Sequence, residues 1–204
     1  LIHVEPGTSD ELIAFLDRMR FMLRVEVSLA PEFVVRWYPD ERPGLATRTG
    51  FGTYALEPLG TLTGLPAGVL AHEALRGAAL RPRLGLDTDH RTLPHEVGWL
   101  VSAVHLDKGC YRGQESVARV HNLGRPPRRL VLLHLDGSDS ELPAVGSDVL
   151  LDGRVVGCVG TAVRHHELGP VGVAPDKRQV RGRTEPGSAV GPTRPHPGPV
   201  PHNP

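Results

Sequence analysis

The chain has 204 residues, 39% of them hydrophobic, which is enough to bury one large core or two small ones. It carries 23 Lys plus Arg and 23 Asp plus Glu, and this balance excludes a global field that would draw it to nucleic acid or to an anionic membrane. Its two cysteines, Cys110 and Cys158, lie far apart and exclude a disulfide scaffold. Because there is no long apolar run and no secretory-signal pattern, a reducing, cytoplasmic location is predicted.

Before residue 40, the hydrophobic pattern predicts a strand, a helix and two further strands. Leu1 opens an apolar run that is typical of a strand entered midway, so we expect a preceding segment to be missing. Apolar residues then recur at helical spacing behind Ser9 and Asp10, which can cap a helix. This order suggests half of an α+β sandwich. The predicted ranges are 1–5 (strand), 9–22 (helix), 24–28 (strand) and 33–38 (strand).

The middle of the chain predicts two helices separated by turns. Residues 39–66 are rich in Pro, Gly and Thr and predict a loop with one extended piece near 52–56. Ala and Leu recur at helical intervals over 66–80, and a turn-rich segment follows at 81–96. A second helix is predicted at 114–120 and is ended by the Gly and Pro residues that follow it.

The last part of the chain predicts a small antiparallel β-barrel and then a tail. Asp152-Gly153 between two apolar runs is a hairpin signal, and closely spaced strands favour a barrel. The predicted strands are 129–135, 148–151, 155–159 and 168–173. The tail holds eight prolines and predicts disorder. The predicted domains are 1–124, 125–174 (the barrel, incomplete) and 175–204 (the tail).

Cys110 is the candidate chemical centre. It lies between Lys108 and Arg112, with Gly109 before it and Gly113 after it. Nearby cations favour a thiolate, and glycines let a ligand or the backbone come close. The thiol could act as a nucleophile, as a transient cluster ligand or as a trap for a damaged cofactor. The alternative is that Cys110 is a small buried residue in a Gly-rich turn.

Polar residues around Cys110 are candidate ligand groups. Gln114 and Glu115 begin the predicted helix, where an acid either caps the helix or orients a polar ligand. Lys108 could belong to a basic rim that meets an anionic ligand tail. Because a carboxylate is held bidentately by Arg rather than Lys, Arg112 and Arg119 are also candidates.

The remaining motifs do not favour metal, nucleotide or nucleic-acid chemistry. The histidines lack zinc-type spacing, so no metal site is predicted, and His90 and His95 are assigned to a polar loop network. Glycine-rich phosphate loops and the GxSxG motif are absent. The basic cluster at 125–129 could touch RNA, but it lacks aromatic neighbours and is interpreted as a solvated rim. Cys158 lies in a predicted strand and is interpreted as core.

The octet K-G-C-Y-x-G-Q-E at residues 108–115 resembles the signature of YgfZ-type proteins. Residues 81–89, 93–96 and 121–125 resemble the stretches around that signature. The resemblance implies a fold similar to the T protein of the glycine cleavage system, in which an N-terminal part and a ferredoxin-like part surround a folate pocket. For this chain it implies an α+β fold: a ferredoxin-like half, then a small antiparallel β-barrel and the disordered tail.

The same resemblance implies a function. YgfZ-type proteins are thought to bind tetrahydrofolate and to support iron–sulfur cluster assembly or repair. The implied partners are folate and iron–sulfur enzymes, such as tRNA-modifying enzymes, or assembly proteins, without direct contact to DNA or a membrane. The family's key cysteine falls on Cys110. The candidate cofactor-binding residues are Lys108, Gly109, Tyr111, Arg112, Gly113, Gln114 and Glu115.

A tetrahydrofolate-dependent aminomethyltransferase is the alternative function. The octet argues against it, because T proteins carry a different segment there, so a non-classical assembly factor is favoured over an enzyme. The sequence departs from the family at three places. The N-terminal pocket segment is missing, Gly77 and Leu80 stand where a bulkier residue and a glycine are expected, and the tail replaces the strands expected after Val173.

Overall fold

The computed structural model describes residues 1–61, 65–138 and 140–177, and it has an α+β fold with antiparallel sheets, which confirms the predicted fold class. The elements are α1 (Ser9–Met19), β1 (Phe33–Tyr38), β2 (Ala46–Thr49), β3 (Gly52–Pro58), α2 (Val69–Ala78), α3 (Leu100–Ala103), α4 (Gln114–Leu123), β4 (Arg128–His134), β5 (Asp148–Leu151), β6 (Arg154–Cys158), β7 (Ala162–His165) and β8 (Gly169–Lys177). None of the helices in the described ranges is both long and apolar enough to cross a bilayer.

The chain divides into two compact units, Leu1–Pro66 and Ala67–Pro204. The predicted boundary between residues 124 and 125 falls inside the second unit, and the division into three domains stays a prediction. Most of the predicted disordered tail, residues 178–204, lies outside the described residues.

The first unit contains a three-stranded antiparallel sheet in the order β1-β3-β2. β1 pairs with β3 from Phe33 opposite Pro58 to Tyr38 opposite Thr53, so the predicted strand at 33–38 is confirmed. Alternation places Trp37 and Tyr54 opposite each other on one face of the sheet. Helix α1 confirms the predicted helix but ends at Met19, three residues earlier than predicted.

Three local predictions in the first unit are wrong. Residues 1–5 form no strand; His3 contacts the sheet instead by stacking on Tyr54, with ring centroids 5.8 Å apart. Residues 24–28 form no strand either: they pair with no neighbouring strand, and the carbonyl of Val25 accepts a hydrogen bond from the Arg20 side chain at 2.6 Å. The N-cap of α1 is Thr8, whose hydroxyl donates to the Glu5 carbonyl, so Ser9 and Asp10 are not the cap.

The second unit is built on a five-stranded antiparallel sheet with β8 at its centre. One edge of β8 pairs with β4, and the other pairs with β7 and, near its end, with β6. The Asp152-Gly153 hairpin between β5 and β6 is confirmed, with φ values of 50° and 75°. The tail prediction is wrong for residues 175–177, which complete β8. The fully buried valines of the sheet are Val159, Val171 and Val173.

Helix α2 packs against β7 and β8 through a glycine. A Cβ atom built on Gly77 would lie 3.2 Å from Cγ2 of Val163 and 3.8 Å from Cγ2 of Val173. A bulkier side chain would push the helix off the sheet. The unexpected glycine at position 77 therefore has a packing reason that compensates its low helix propensity.

Leu80 occupies the left-handed position that ends α2. Its φ is 51°, its N–H donates to Gly77 O at 3.0 Å, and the N–H of Arg81 donates to Arg76 O at 3.1 Å. These two bonds form a Schellman motif, in which glycine is the preferred residue at the position that Leu80 holds. The departure noted at position 80 in the sequence is thus a real conformational mismatch.

We expect Leu80→Gly to be more stable than Leu80→Ala by about 1 kcal/mol, because only glycine adopts positive φ without steric cost. Both variants lose the same leucine contacts, so the comparison isolates the backbone. Urea unfolding of the two variants measures the difference. At an ordinary helical position the order is reversed, so a more stable alanine variant would contradict this interpretation.

Candidate functional site

Residues 108–115, the cysteine segment, lead through a tight turn into α4. Gly113 has φ 83° and ψ 3°, and the N–H of Gln114 donates to Tyr111 O at 3.2 Å. These values define a type II turn over residues 111–114, which requires a residue that tolerates positive φ at its third position. The Gly in the sequence signature is therefore needed for the turn itself.

Helix α4 fixes the far side of this turn. Val117 is buried, and its N–H donates to Gly113 O at 3.2 Å, so the first turn of the helix is anchored in the unit. Glu115 lies in that first turn, where a negative charge is favourable. Gly124, in the left-handed conformation, ends the helix as the sequence predicted.

The Cys110 side chain is exposed. This rules out the interpretation of Cys110 as a small buried residue. Lys108 and Arg112 are exposed on either side of it, and Nζ of Lys108 lies 5.6 Å from the centre of the Tyr111 ring. The structure thus exposes the thiol on a segment that a turn and a helix hold, and the two cationic residues that flank it in sequence are exposed as well. Gly109, Gly113 and Glu115 are also exposed, whereas Tyr111 and Gln114 are half-buried.

Cys158 lies half-buried at the end of β6, opposite Asp148 of β5. Burial raises the pKa of its thiol. A thiol that is kept neutral and partly enclosed by the sheet suits a packing role, as the sequence predicted.

The turn-rich segment is joined to the sheet by an ion pair that the sequence did not reveal. Oε1 and Oε2 of the buried Glu96 accept hydrogen bonds from Nε and Nη2 of Arg128 at 3.1 and 2.9 Å. This bidentate contact with Glu96 raises the pKa of the Arg128 guanidinium. Asp89 lies 3.6 Å from the same guanidinium. One arginine of the basic cluster at 125–129 is therefore already neutralised within the chain.

A second charged network lies inside the second unit. Arg76 of α2 donates from Nη1 to Oδ2 of Asp87 at 3.0 Å and from Nη2 to the hydroxyl of Thr161 at 2.6 Å. All three residues are at most 5% exposed. Glu73 pairs with Arg76 at 2.8 Å, and its pKa is lowered to about 2, chiefly by the hydrogen bond from His72. The network connects α2, the turn-rich segment and the start of β7.

His95 does not take part in the predicted polar loop network. Both ring nitrogens of His95 are buried and have no hydrogen-bond partner, and burial lowers the pKa of the ring. The ring lies 6.2 Å from that of His121, centre to centre. Asp87 and Glu96 belong instead to the two networks described above. Within residues 1–61, 65–138 and 140–177, no group of three or more possible ligand side chains could hold a metal ion.

Comparison with known proteins finds two curated relatives and no matching family model. The chain is 34% identical to an aminomethyltransferase of Nostoc sp. over 141 residues, which are 62% of this chain and 36% of that protein. It is 33% identical to a putative chloroplastic transferase of Arabidopsis thaliana over 93 residues, 46% of this chain and 20% of that protein. The chain thus spans about a third or less of the length of these relatives.

These similarities support a place in the superfamily of T-protein-like aminomethyltransferases. They do not distinguish the YgfZ-type branch from the others. The resemblance identified in the sequence is therefore supported at the level of the superfamily.

Proposed function

We propose that this chain belongs to a folate-binding accessory protein that supports the assembly or repair of iron–sulfur clusters. The observation that carries the proposal is the exposed thiol of Cys110, held on an ordered segment between Lys108 and Arg112. A thiol that is accessible and flanked by cations is suited to transient covalent or metal contacts. The transferase relatives support the T-protein-like part of the proposal.

Tetrahydrofolate is the cofactor that this superfamily implies. The donor set of the cysteine segment fits the anionic glutamate end of a folate, because Lys108 and Arg112 are exposed cations and no ion pair within the described part of the chain engages them. Arg112 in particular can hold a carboxylate bidentately. We assign these two residues to the tail of the cofactor. When bound, tetrahydrofolate supplies ring amines that carry one-carbon units.

The proposed partners are iron–sulfur enzymes or their assembly proteins, with a cluster-dependent tRNA-modifying enzyme as the class of client. In the part of the chain that the structure describes, no group of three or more Cys, His, Asp or Glu side chains could hold a metal ion, so a lone exposed thiol suits passing contact with a cluster held by another protein. In this role the cysteine segment is a contact surface and not a resident cluster site.

An aminomethyltransferase activity is the second candidate. It is favoured by the 34% identity to the Nostoc aminomethyltransferase. Under that function Cys110 would have no chemical role, since aminomethyl transfer to tetrahydrofolate needs no thiol. The two candidates therefore make opposite predictions for a change at Cys110.

We expect Cys110→Ser to abolish the support of cluster-dependent enzymes, because serine keeps the size of the side chain but removes the sulfur atom that would make the covalent or metal contact. The measurement is the activity of a cluster-dependent tRNA-modifying enzyme in cells that express the variant in place of the wild type. Activity should fall to the level of cells that lack the protein. Cys158→Ala is the matched control, since it removes the other cysteine and should keep the activity.

The purified variant should be assayed in parallel for methylene-tetrahydrofolate formation from an aminomethyl donor. If Cys110→Ser retains full support of the client enzyme, the accessory function is wrong. Robust aminomethyl transfer that survives the substitution would establish the transferase activity instead.

A further inference from the structure

We propose that Gln114 is a positioning residue that holds the Cys110 thiol in place, an inference that rests on the proposed function of Cys110. The side-chain Oε1 of Gln114 accepts a hydrogen bond from the backbone N–H of Tyr111 at 3.1 Å. The backbone N–H of Gln114 donates to the carbonyl of Tyr111 at 3.2 Å. Gln114 therefore holds both backbone polar groups of the residue that follows Cys110.

This pair of bonds acts one peptide group away from the thiol. The N–H of Tyr111 and the carbonyl of Cys110 belong to the same planar peptide unit. Fixing that N–H therefore fixes the orientation of the plane that ends at the Cα of Cys110. With the type II turn closed at Gly113, only rotations at Cys110 and residues before it remain free.

The anchor itself is rigid. Gln114 is the first residue of α4, and three residues later Val117 is 5% exposed and packed in the second unit. One side-chain hydrogen bond thus holds the backbone next to Cys110 against a packed helix. Tyr111 is half-buried and also lies beneath the Lys108 ammonium at 5.6 Å, so the segment is held on both sides of Cys110.

The chemistry of the bond specifies which substitutions should preserve it. Glutamate keeps a carboxylate oxygen at the same reach, and a negative charge in the first turn of a helix is favourable. Methionine has a similar length but offers no oxygen acceptor. Gln114→Glu should therefore retain the anchor, and Gln114→Met should lose it. If the amide were instead needed to bind a ligand, both substitutions would impair function.

Two readouts test the inference on the full chain. Amide hydrogen exchange of Tyr111 should be about five- to tenfold faster in Gln114→Met than in the wild type, which is the effect of losing one exposed hydrogen bond. Gln114→Glu should exchange as slowly as the wild type. In cells, Gln114→Met should lower the activity of the client enzyme, and Gln114→Glu should keep it at the wild-type level. Ser116→Met, an exposed position in the same helical turn, is the control and should change neither readout.

Three outcomes would overturn the inference. In Gln114→Met, the amide exchange of Tyr111 could stay unchanged, or it could become faster while the client enzyme stays fully active. In Gln114→Glu, the activity of the client enzyme could fall. Cys110→Ser in the same assay separates the positioning role of Gln114 from the proposed function of Cys110. If it abolishes client activity while Gln114→Met does not, only the positioning role fails. If both variants are fully active, the proposed function of Cys110 fails, whatever the exchange data show.

Discussion

Replacing Asp87 with alanine is expected to destabilise the second unit by about 3–5 kcal/mol, the usual consequence of removing one partner from a buried ion pair. The Asp87 side chain is fully buried, and Arg76 is only 5% exposed. Without the carboxylate, Arg76 would keep Glu73 and the Arg81 carbonyl as partners but would lose the charge that faces it from the turn-rich segment.

The hydrogen bonds of Asp87 explain why the effect should lie in the upper part of this range. Its Oδ1 accepts from the N–H of Thr161 at 2.7 Å, and its Oδ2 accepts from the N–H of Arg83 at 2.8 Å. The hydroxyl of Thr161 donates to the same Oδ2 at 3.0 Å. Alanine leaves these donors without their acceptor in a buried place, and each unsatisfied buried group costs about 1–3 kcal/mol.

Urea unfolding of Asp87→Ala and of the matched control Asp89→Ala tests this expectation. Asp89 is two residues further on, half exposed, and 3.6 Å from the Arg128 guanidinium. Its loss should cost less than about 1 kcal/mol, as for other exposed pairs. Similar destabilisation by the two variants would show that the network around Asp87 does not stabilise the unit.

The elements that the sequence predicted well are those whose signals are local. The apolar spacing of α1 and α2, the β-branched and aromatic run of β1, and the Asp152-Gly153 turn all act within a few residues. Their neighbours in space reinforce the local preference. The same holds for the end of the cysteine segment, where the helix predicted at 114–120 forms as α4.

The missed elements depend on distant partners. β7 is short and has a charged residue at Arg164, and it becomes a strand because β8 offers it a paired edge. The opposite failure occurs at residues 24–28, where the alternating pattern predicted a strand that does not form. There the Val25 carbonyl accepts a hydrogen bond from the Arg20 side chain. A period of two residues predicts a strand only when a neighbouring strand is present to pair with it.

The charged networks could not be predicted for the same reason. Arg76 and Thr161 are 85 positions apart in sequence but share a hydrogen bond. Glu96 and Arg128 are 32 positions apart, and nothing in their local sequence marks them as partners. By contrast, the exposure of Cys110 agrees with its surroundings in the sequence, since short Gly-containing turns with flanking charges usually lie at the surface.

Gly160→Ala is expected to destabilise the second unit by about 2–4 kcal/mol, because an added methyl group has no room and also disturbs a buried carboxylate. A Cβ atom at this position would lie 2.3 Å from Oδ1 of Asp87 and 3.0 Å from the Leu86 carbonyl oxygen. The backbone around Gly160 cannot retreat easily, since its N–H donates to Val173 O at 2.7 Å. Gly137→Ala is the control, with its nearest neighbour 3.8 Å away in Pro170, and should change stability by less than about 0.5 kcal/mol.

The origin of this destabilisation can be tested by combining Gly160→Ala with Asp87→Ala. Removing the carboxylate removes the nearest obstacle to the new methyl group, so Gly160→Ala should cost at least about 1 kcal/mol less in the Asp87→Ala background. The free energies of unfolding of the wild type, both single variants and the double variant complete the cycle. Strict additivity would mean that the methyl group acts on the backbone at Leu86 and not through Asp87. The predicted coupling requires the carboxylate of Asp87 to fill the space that only a glycine at position 160 leaves open.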